Sequence, residues 1–269
     1  MSLSNESAPM SLPDTVPDPL DTLSAETPRV WKFWGTSLWG VLIFVALFMG
    51  QGAVIAAMLF SSGATDLSSF AEALGSALTG GKTLSLSIMT GLPAVLAAIW
   101  IATRVARQPF VDYLALRWPS WKWILIGVVS LAVLVESWDL LSKSLGREVM
   151  PSFMIDTLKA AQADNTLWLL VLAVAVAAPI TEELFVRGFL YRGWSESFLR
   201  PVGAIVLSSA VWTLMHLQYD WFFLGQVFTI GLLLGYLRYR TNSTWLTVII
   251  HGLNNFAALV QTYWLASFT

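Results

Sequence analysis

Residues 179–187 read PITEELFVR and place two adjacent carboxylates, Glu182 and Glu183, at the end of an apolar run, 167–180. Ionisable side chains within an apolar segment of membrane length are expensive and mark functional sites. On a helix, Glu183 and Arg187 are four residues apart and share a face, whereas Glu182 lies off that face. The spacing therefore predicts that Arg187 neutralises Glu183 and that Glu182 stays available as a general base.

The composition is typical of a polytopic membrane protein. Of the 269 residues, 56% are hydrophobic and 12% are charged. Residues 1–30 are polar and carry five prolines, which predicts a disordered acidic tail without the features of a signal peptide. Residues 31–269 form the predicted transmembrane domain. The chain has no cysteine, which excludes a thiol nucleophile, cysteine metal ligands and disulfides.

Apolar runs divide the domain into about seven predicted transmembrane helices, each near the ~20 residues that a spanning helix needs. The runs cover residues 34–60, 84–105, 123–141, 167–189, 202–217, 222–237 and 245–265. A weakly amphipathic stretch, 67–78, is a candidate for an eighth helix. The predicted fold class is thus all-α.

Lys and Arg are concentrated in alternate connections between these runs, beginning with Arg29 and Lys32 before the first run. The positive-inside rule therefore predicts that the N-terminus lies in the cytoplasm. We expect an integral protein of a bacterial cell (inner) membrane. Membrane lipids are its expected partners, and no nucleic acid is expected.

Both histidines of the chain lie in apolar segments. His216 follows Trp212 by four residues in WTLMH, and His251 precedes Asn255 by four in HGLNN, so each pair shares a helix face. A single buried histidine is more often structural. Two of them, in the same part of the chain as a glutamate pair, supply the groups that activate water and stabilise an oxyanion.

Three motifs therefore occur in order: Glu182-Glu183-x-x-x-Arg187, Trp212-x-x-x-His216 and His251-x-x-x-Asn255. They resemble the signature of the CAAX-processing and bacteriocin-processing (CPBP/Abi) intramembrane endopeptidases, which include the type II CAAX prenyl proteases. The resemblance covers about residues 165–265. The family usually has phenylalanine at the position of Trp212, and both residues are large aromatics.

This resemblance implies an intramembrane protease with a catalytic cavity inside the membrane. Its substrate would be a membrane-associated, lipidated or prenylated (CAAX-type) protein or peptide. The resemblance also implies a role for each motif residue: Glu182 with His216 to activate water, His251 with Asn255 to hold the oxyanion, and Glu183 with Arg187 to brace the site.

No cofactor is expected. Zinc is the alternative, because Glu and His can ligate it, and it needs about three protein ligands plus water. His251-x-x-x-Asn255 is more typical of two hydrogen-bond donors than of two ligands. A second acidic pair, Glu136 and Asp139, lies close to Lys143 and favours an interfacial or interhelical ion pair.

Two other classes of function stay open on the sequence. One is a non-catalytic membrane scaffold or bacteriocin-immunity protein that retains the fold. The other is a small proton-coupled transporter in which buried Glu and His relay protons, although the chain has no internal repeat of the kind that transporters use.

The predicted spans leave one conflict. Glu182 falls towards the inner end of the fourth run and His216 towards the outer end of the fifth, so straight helices would keep them apart. Pro179 cannot donate to the carbonyl of Ala175, and a kink there would set Glu182 deeper. Alternatively, the fifth run forms a short helix that does not cross the membrane.

Overall fold

The computed structural model describes residues 29–267, and all regular structure in that range is helical. The helices, in chain order, are α1 (Phe33–Ser61), α2 (Leu67–Thr79), α3 (Gly81–Val105), α4 (Phe110–Tyr113), α5 (Trp121–Ser144), α6 (Ser152–Ala163), α7 (Leu167–Ser195), α8 (Arg200–Leu214), α9 (Trp221–Thr241) and α10 (Thr244–Ala266). The predicted tail falls almost entirely outside the described residues.

Among the described helices, α1, α3, α5, α7 and α9 are long and apolar enough to cross a membrane. α1 shows the pattern expected of a lipid-facing helix. It exposes Val41, Phe48 and Met49 and buries Ile43 and Leu47. Large apolar side chains on an outer face are stable in lipid and would be a liability in water. The predicted all-α polytopic membrane fold is confirmed.

The two remaining predicted spans differ from the other five. α8 has only 15 residues, or about 22 Å at 1.5 Å per residue, against a hydrocarbon core of about 30 Å. α10 has 23 residues, but its apolar sequence is interrupted by polar side chains at His251, Asn254, Asn255 and Gln261. The short α8 favours the second explanation of the conflict, in which His216 follows a helix that does not cross.

Side-chain and backbone caps set the start of α2 and the connection between α9 and α10. The predicted eighth helix exists as α2, where Asp66 and Ser69 form a reciprocal capping box. α9 and α10 are joined by a tight connection. Asn242 takes the left-handed conformation that ends α9, and the side chain of Ser243 accepts the Leu246 N–H to start α10. This connection fixes where α10, which carries the motif residue His251, begins relative to the end of α9.

Close backbone contact joins α1 to α3. A Cβ atom on Gly50 would lie 2.7 Å from the Thr90 carbonyl oxygen and 2.9 Å from the Ala94 Cβ. Small residues allow such close approach of helices in membranes, where packing rather than exclusion from water holds helices together.

We expect Gly50→Ala to lower the free energy of unfolding by about 1–3 kcal/mol, because the added methyl group must push α1 away from α3. The measurement is thermal unfolding of the purified protein in detergent. Gly52→Ala is the matched control, since a Cβ there meets nothing within 4 Å. Equal melting temperatures for the two variants would contradict this packing.

Candidate active site

α7 carries the glutamate pair between two π-helical stretches, Ala173–Ala177 and Leu184–Leu190. In the first stretch the Ala178 N–H bonds to the Ala173 carbonyl, five residues back, and Pro179 has no N–H to offer. The irregularity predicted at Pro179 thus takes the form of a π-helical stretch directly before it. Such stretches are frequent at functional sites.

The first π-helical stretch leaves one backbone carbonyl of α7 free to accept a hydrogen bond from α10. The Val174 oxygen lacks its usual helical donor, and the Asn255 Nδ2 donates to it at 2.9 Å. α10 can come this close because of Gly252, where a Cβ would lie only 2.8 Å from the Ala175 oxygen. One N–H of the Asn255 amide is therefore committed to α7, and the other stays available.

Glu183 and Arg187 form a fully buried ion pair, with 2.8 Å between Glu183 Oε1 and Arg187 Nη1. The same carboxylate oxygen lies 3.0 Å from Nδ1 of His251, and the Arg187 Nη2 donates to the Gly231 carbonyl at 3.2 Å. The i, i+4 spacing predicted the first contact but neither of the others. Glu183 is thus held by two cationic or hydrogen-bonding partners and does not line the cavity.

Trp212 lies at the centre of the motif residues and is only 2% exposed. Its indole Nε1–H donates to Glu182 Oε2 at 2.6 Å. The Arg187 guanidinium carbon lies 4.6 Å from the centre of its ring. The rings of His216 and His251 each meet the indole edge to face, with centroids 5.1 Å apart.

Hydrogen bonding also orients the two histidines. Nδ1 of His216 lies 2.9 Å from the Trp212 carbonyl oxygen. A carbonyl can only accept, so this nitrogen carries the proton and Nε2 is the basic one. Nδ1 of His251 faces the Glu183 carboxylate and by the same argument carries its proton there.

A cavity of about 1060 Å³ opens beside these residues. It is lined by all four predicted catalytic side chains, Glu182, His216, His251 and Asn255. The structure therefore brings together residues from α7, from the end of α8 and from α10. The predicted braces Glu183 and Arg187 lie behind the cavity wall.

Sequence reasoning missed Tyr219, which also lines the cavity. Its ring lies 5.8 Å from that of His216. Burial, assisted by the charge of Glu182, raises the pKa of Tyr219 to about 12, so its hydroxyl stays protonated at neutral pH and can donate. No pattern signalled it, because it lies in the irregular connection between α8 and α9.

The second acidic pair has a different environment from the one predicted. Asp139 is 7% exposed, and its Oδ2 accepts a hydrogen bond from Gln261 of α10 at 2.9 Å. Within the described chain, no ion pair of Asp139 with Lys143 occurs, so the predicted ion pair is wrong for Asp139. The interhelical contact is made by a neutral amide, and Glu136 and Asp139 both line the cavity.

The zinc alternative depends on how many ligands the described residues bring together. Zinc needs about three protein ligands, and residues 29–267 contain no group of three or more His, Asp or Glu side chains that could hold a metal ion. Glu183 is already bound to Arg187, and Nδ1 of His251 is turned towards Glu183.

Comparison with known proteins identifies similar sequences. Residues 164–257 match the family model described as type II CAAX prenyl endopeptidase Rce1-like. The chain is also similar to the UPF0177 protein YbdI of Lactococcus lactis subsp. lactis (strain IL1403), with 29% identity over 114 residues. That match covers 39% of this chain and 60% of the relative. No solved structure matches the chain.

The matched segment runs from the start of α7 to the middle of α10 and contains every motif residue from Glu182 to Asn255. The predicted resemblance is therefore confirmed, and residues 164–257 carry the sequence pattern of the Rce1-like type II CAAX prenyl endopeptidases.

Proposed function

We propose that this protein is an intramembrane endopeptidase in which Glu182 is the general base. The observation that carries the proposal is the different environment of the two neighbouring glutamates. Glu183 is buried against Arg187 and His251, whereas Glu182 faces the cavity with one oxygen fixed by Trp212. A positioned carboxylate with a free oxygen, in the same cavity as a histidine, is an arrangement suited to general-base hydrolysis.

In the proposed reaction, Glu182 Oε1 accepts a proton from a water molecule that Nε2 of His216 helps to orient. The water oxygen forms a bond to the peptide carbonyl carbon, and the carbonyl electron pair moves to oxygen. When the C=O bond re-forms, the C–N bond breaks. The proton taken up by Glu182 then passes to the departing amine, so the enzyme returns to its starting state.

The oxyanion is held, in this proposal, by α10. Asn255 has one amide N–H left after its bond to the Val174 carbonyl, and fixed donors of this kind act most strongly where water is excluded. His251 contributes a second donor when Nε2 also carries a proton. Glu183, in contact with the opposite edge of the ring, compensates that charge.

The proposed substrate is a membrane-associated peptide or protein, including a prenylated CAAX-type one. The cavity adjoins helices long and apolar enough to cross a membrane, and apolar side chains such as Phe44, Leu131 and Val135 share its lining with the catalytic groups. A substrate with an apolar part and a peptide bond at membrane depth would suit such a lining. We further propose that the host membrane is a bacterial inner membrane with the N-terminus in the cytoplasm.

Substitution of the two glutamates should separate chemistry from folding. Glu182→Gln should lower kcat about 10²–10⁴-fold, because an amide cannot accept the proton, and leave the melting temperature near that of the wild type. Glu183→Gln should instead lower the free energy of unfolding by about 3–5 kcal/mol, because Arg187 becomes a buried unpaired charge. Cleavage of a quenched fluorescent peptide library with farnesylated members, and thermal unfolding in detergent, measure the two effects.

Exposed Glu72 on α2 provides the control, and Glu72→Gln should leave both quantities unchanged. A Glu182→Gln enzyme that keeps wild-type kcat would exclude Glu182 as the base. If cells that produce the Glu182→Gln variant keep the function of the wild-type protein, the non-catalytic scaffold would be favoured.

Trp212→Phe should lower kcat about tenfold with little change in KM, because the carboxylate loses a charge-assisted hydrogen bond that fixes its position. The phenyl ring keeps the contacts with both histidines and with Arg187. Steady-state kinetics on the same peptide substrate test this, and unchanged kcat would show that the indole N–H does not position the base.

Chelation should leave the activity intact. Incubation of the wild-type enzyme with a strong chelator such as EDTA, followed by the same cleavage assay, is the measurement. Loss of cleavage on chelation, restored by added Zn²⁺, would replace the glutamate mechanism with a metal-dependent one.

A further inference from the structure

Three arginines lie on neighbouring segments where α7 and α9 end. Arg192 lies in the last turn of α7 and Arg238 in the last turn of α9, and Arg117 lies in the segment between α4 and α5. Hydrogen bonds from side chains to backbone carbonyls link these segments. The Arg238 Nε donates to the Arg187 carbonyl at 3.2 Å, and the Ser243 hydroxyl, next to the end of α9, donates to the Arg117 carbonyl.

Arg238 is the buried member of this cluster, at 2% exposure. Its Nη1 donates to the Asn242 Oδ1 at 2.7 Å, and its guanidinium carbon lies 5.3 Å from the centre of the Tyr191 ring. Its Nη2 is buried without a hydrogen-bond partner. Arg192 and Arg117 are near enough for their charges to oppose that of Arg238.

The described residues do not balance this charge. Arg192 pairs with Glu196 at 2.9 Å, but its Nε is also buried without a partner. One carboxylate beside three guanidinium groups leaves an excess of positive charge and two buried N–H donors unsatisfied. Buried donors without a partner are rare in native structures, and positively charged donors of this kind can accept an anionic ligand.

The cluster has an open side next to exposed tryptophans. Arg117 is exposed, and the Arg192 side chain is 35% exposed. Next to Arg117, the ring of Trp118 stacks on that of Trp245 at 5.8 Å, and Trp118 is 79% exposed. Exposed tryptophans beside basic residues mark the boundary between hydrocarbon and headgroups, where anionic lipids attract arginine.

We propose that Arg117, Arg192 and Arg238 form a phosphate-binding site occupied by the headgroup of an anionic phospholipid. Guanidinium groups donate paired N–H groups to phosphate oxygens in a geometry that lysine cannot reproduce. Arg117 and Arg192 supply the contacts from the open side, and the buried charge of Arg238 adds to the attraction from beneath. No part of the proposed peptidase reaction takes place here.

The site also has a direct connection to the glutamate pair. Arg238 holds the carbonyl of Arg187, and Arg187 is the partner of Glu183. An anion bound beside Arg238 should therefore stabilise the part of α7 that carries this ion pair. Bound anionic lipid is thus expected to raise the melting temperature of the protein.

The test is native mass spectrometry of the full chain in detergent, titrated with phosphatidylglycerol, with phosphatidylcholine or with inorganic phosphate. Phosphatidylglycerol should bind to the wild type at least about tenfold more tightly than phosphatidylcholine. The double variant Arg117→Gln/Arg192→Gln should lose about tenfold in that binding. Arg238 stays intact in this variant, because it also holds the backbone of α7.

The charge-matched control is Arg104→Gln/Arg240→Gln, which removes two exposed arginines at the ends of α3 and α9. It should bind phosphatidylglycerol within about twofold of the wild type, because screened surface charges contribute little individually. Equal losses in the two double variants would reduce the effect to surface charge and overturn the site. Binding of inorganic phosphate without preference for phosphatidylglycerol would identify free phosphate as the ligand and overturn the lipid assignment. Lipid binding is measured without any substrate, so a missing peptidase activity would not affect this result.

Discussion

The buried ion pair between Glu183 and Arg187 is the interaction on which the rest of the site depends. Breaking such a pair leaves a buried charge that costs about 3–5 kcal/mol, so its partners must all be in place together. His251 of α10 contacts the carboxylate, while the Gly231 carbonyl of α9 and the ring of Trp212 in α8 contact the guanidinium. One pair within α7 therefore fixes the relative positions of four helices. The residues that line the cavity follow from that arrangement.

The two neighbouring carboxylates, Glu182 and Glu183, point in different directions because of helix geometry. Successive residues point about 100° apart on a helix with 3.6 residues per turn. Glu183 is turned into the protein, where its Oε1 contacts Arg187 and His251, whereas Glu182 is turned to the cavity. Trp212 contacts both groups: its N–H donates to Glu182, and its ring face meets Arg187. A phenylalanine could supply only the second contact.

Local spacing was enough to predict much of this site. The i, i+4 relations of Glu183 with Arg187 and of His251 with Asn255 depend only on helix geometry, and the order of motifs identified the family resemblance. The bond from Trp212 to Glu182 spans 30 residues of sequence and depends on how α8 packs on α7. The carbonyl of Val174 became a partner of Asn255 only through a π-helical stretch. The run 202–217 was compatible with a short helix that does not cross, and the structure gives this helix 15 residues.

The length of α8 has a consequence for how water reaches the cavity. A helix about 8 Å shorter than the hydrocarbon core that starts at one membrane surface ends inside that core. Trp212 belongs to α8, and His216 follows soon after it, so the irregular chain beyond α8 borders the cavity. Irregular backbone at that depth must be buried in protein or line a water-filled cavity. In the proposed reaction, water would reach Glu182 from this polar opening, without an aqueous channel through the whole protein.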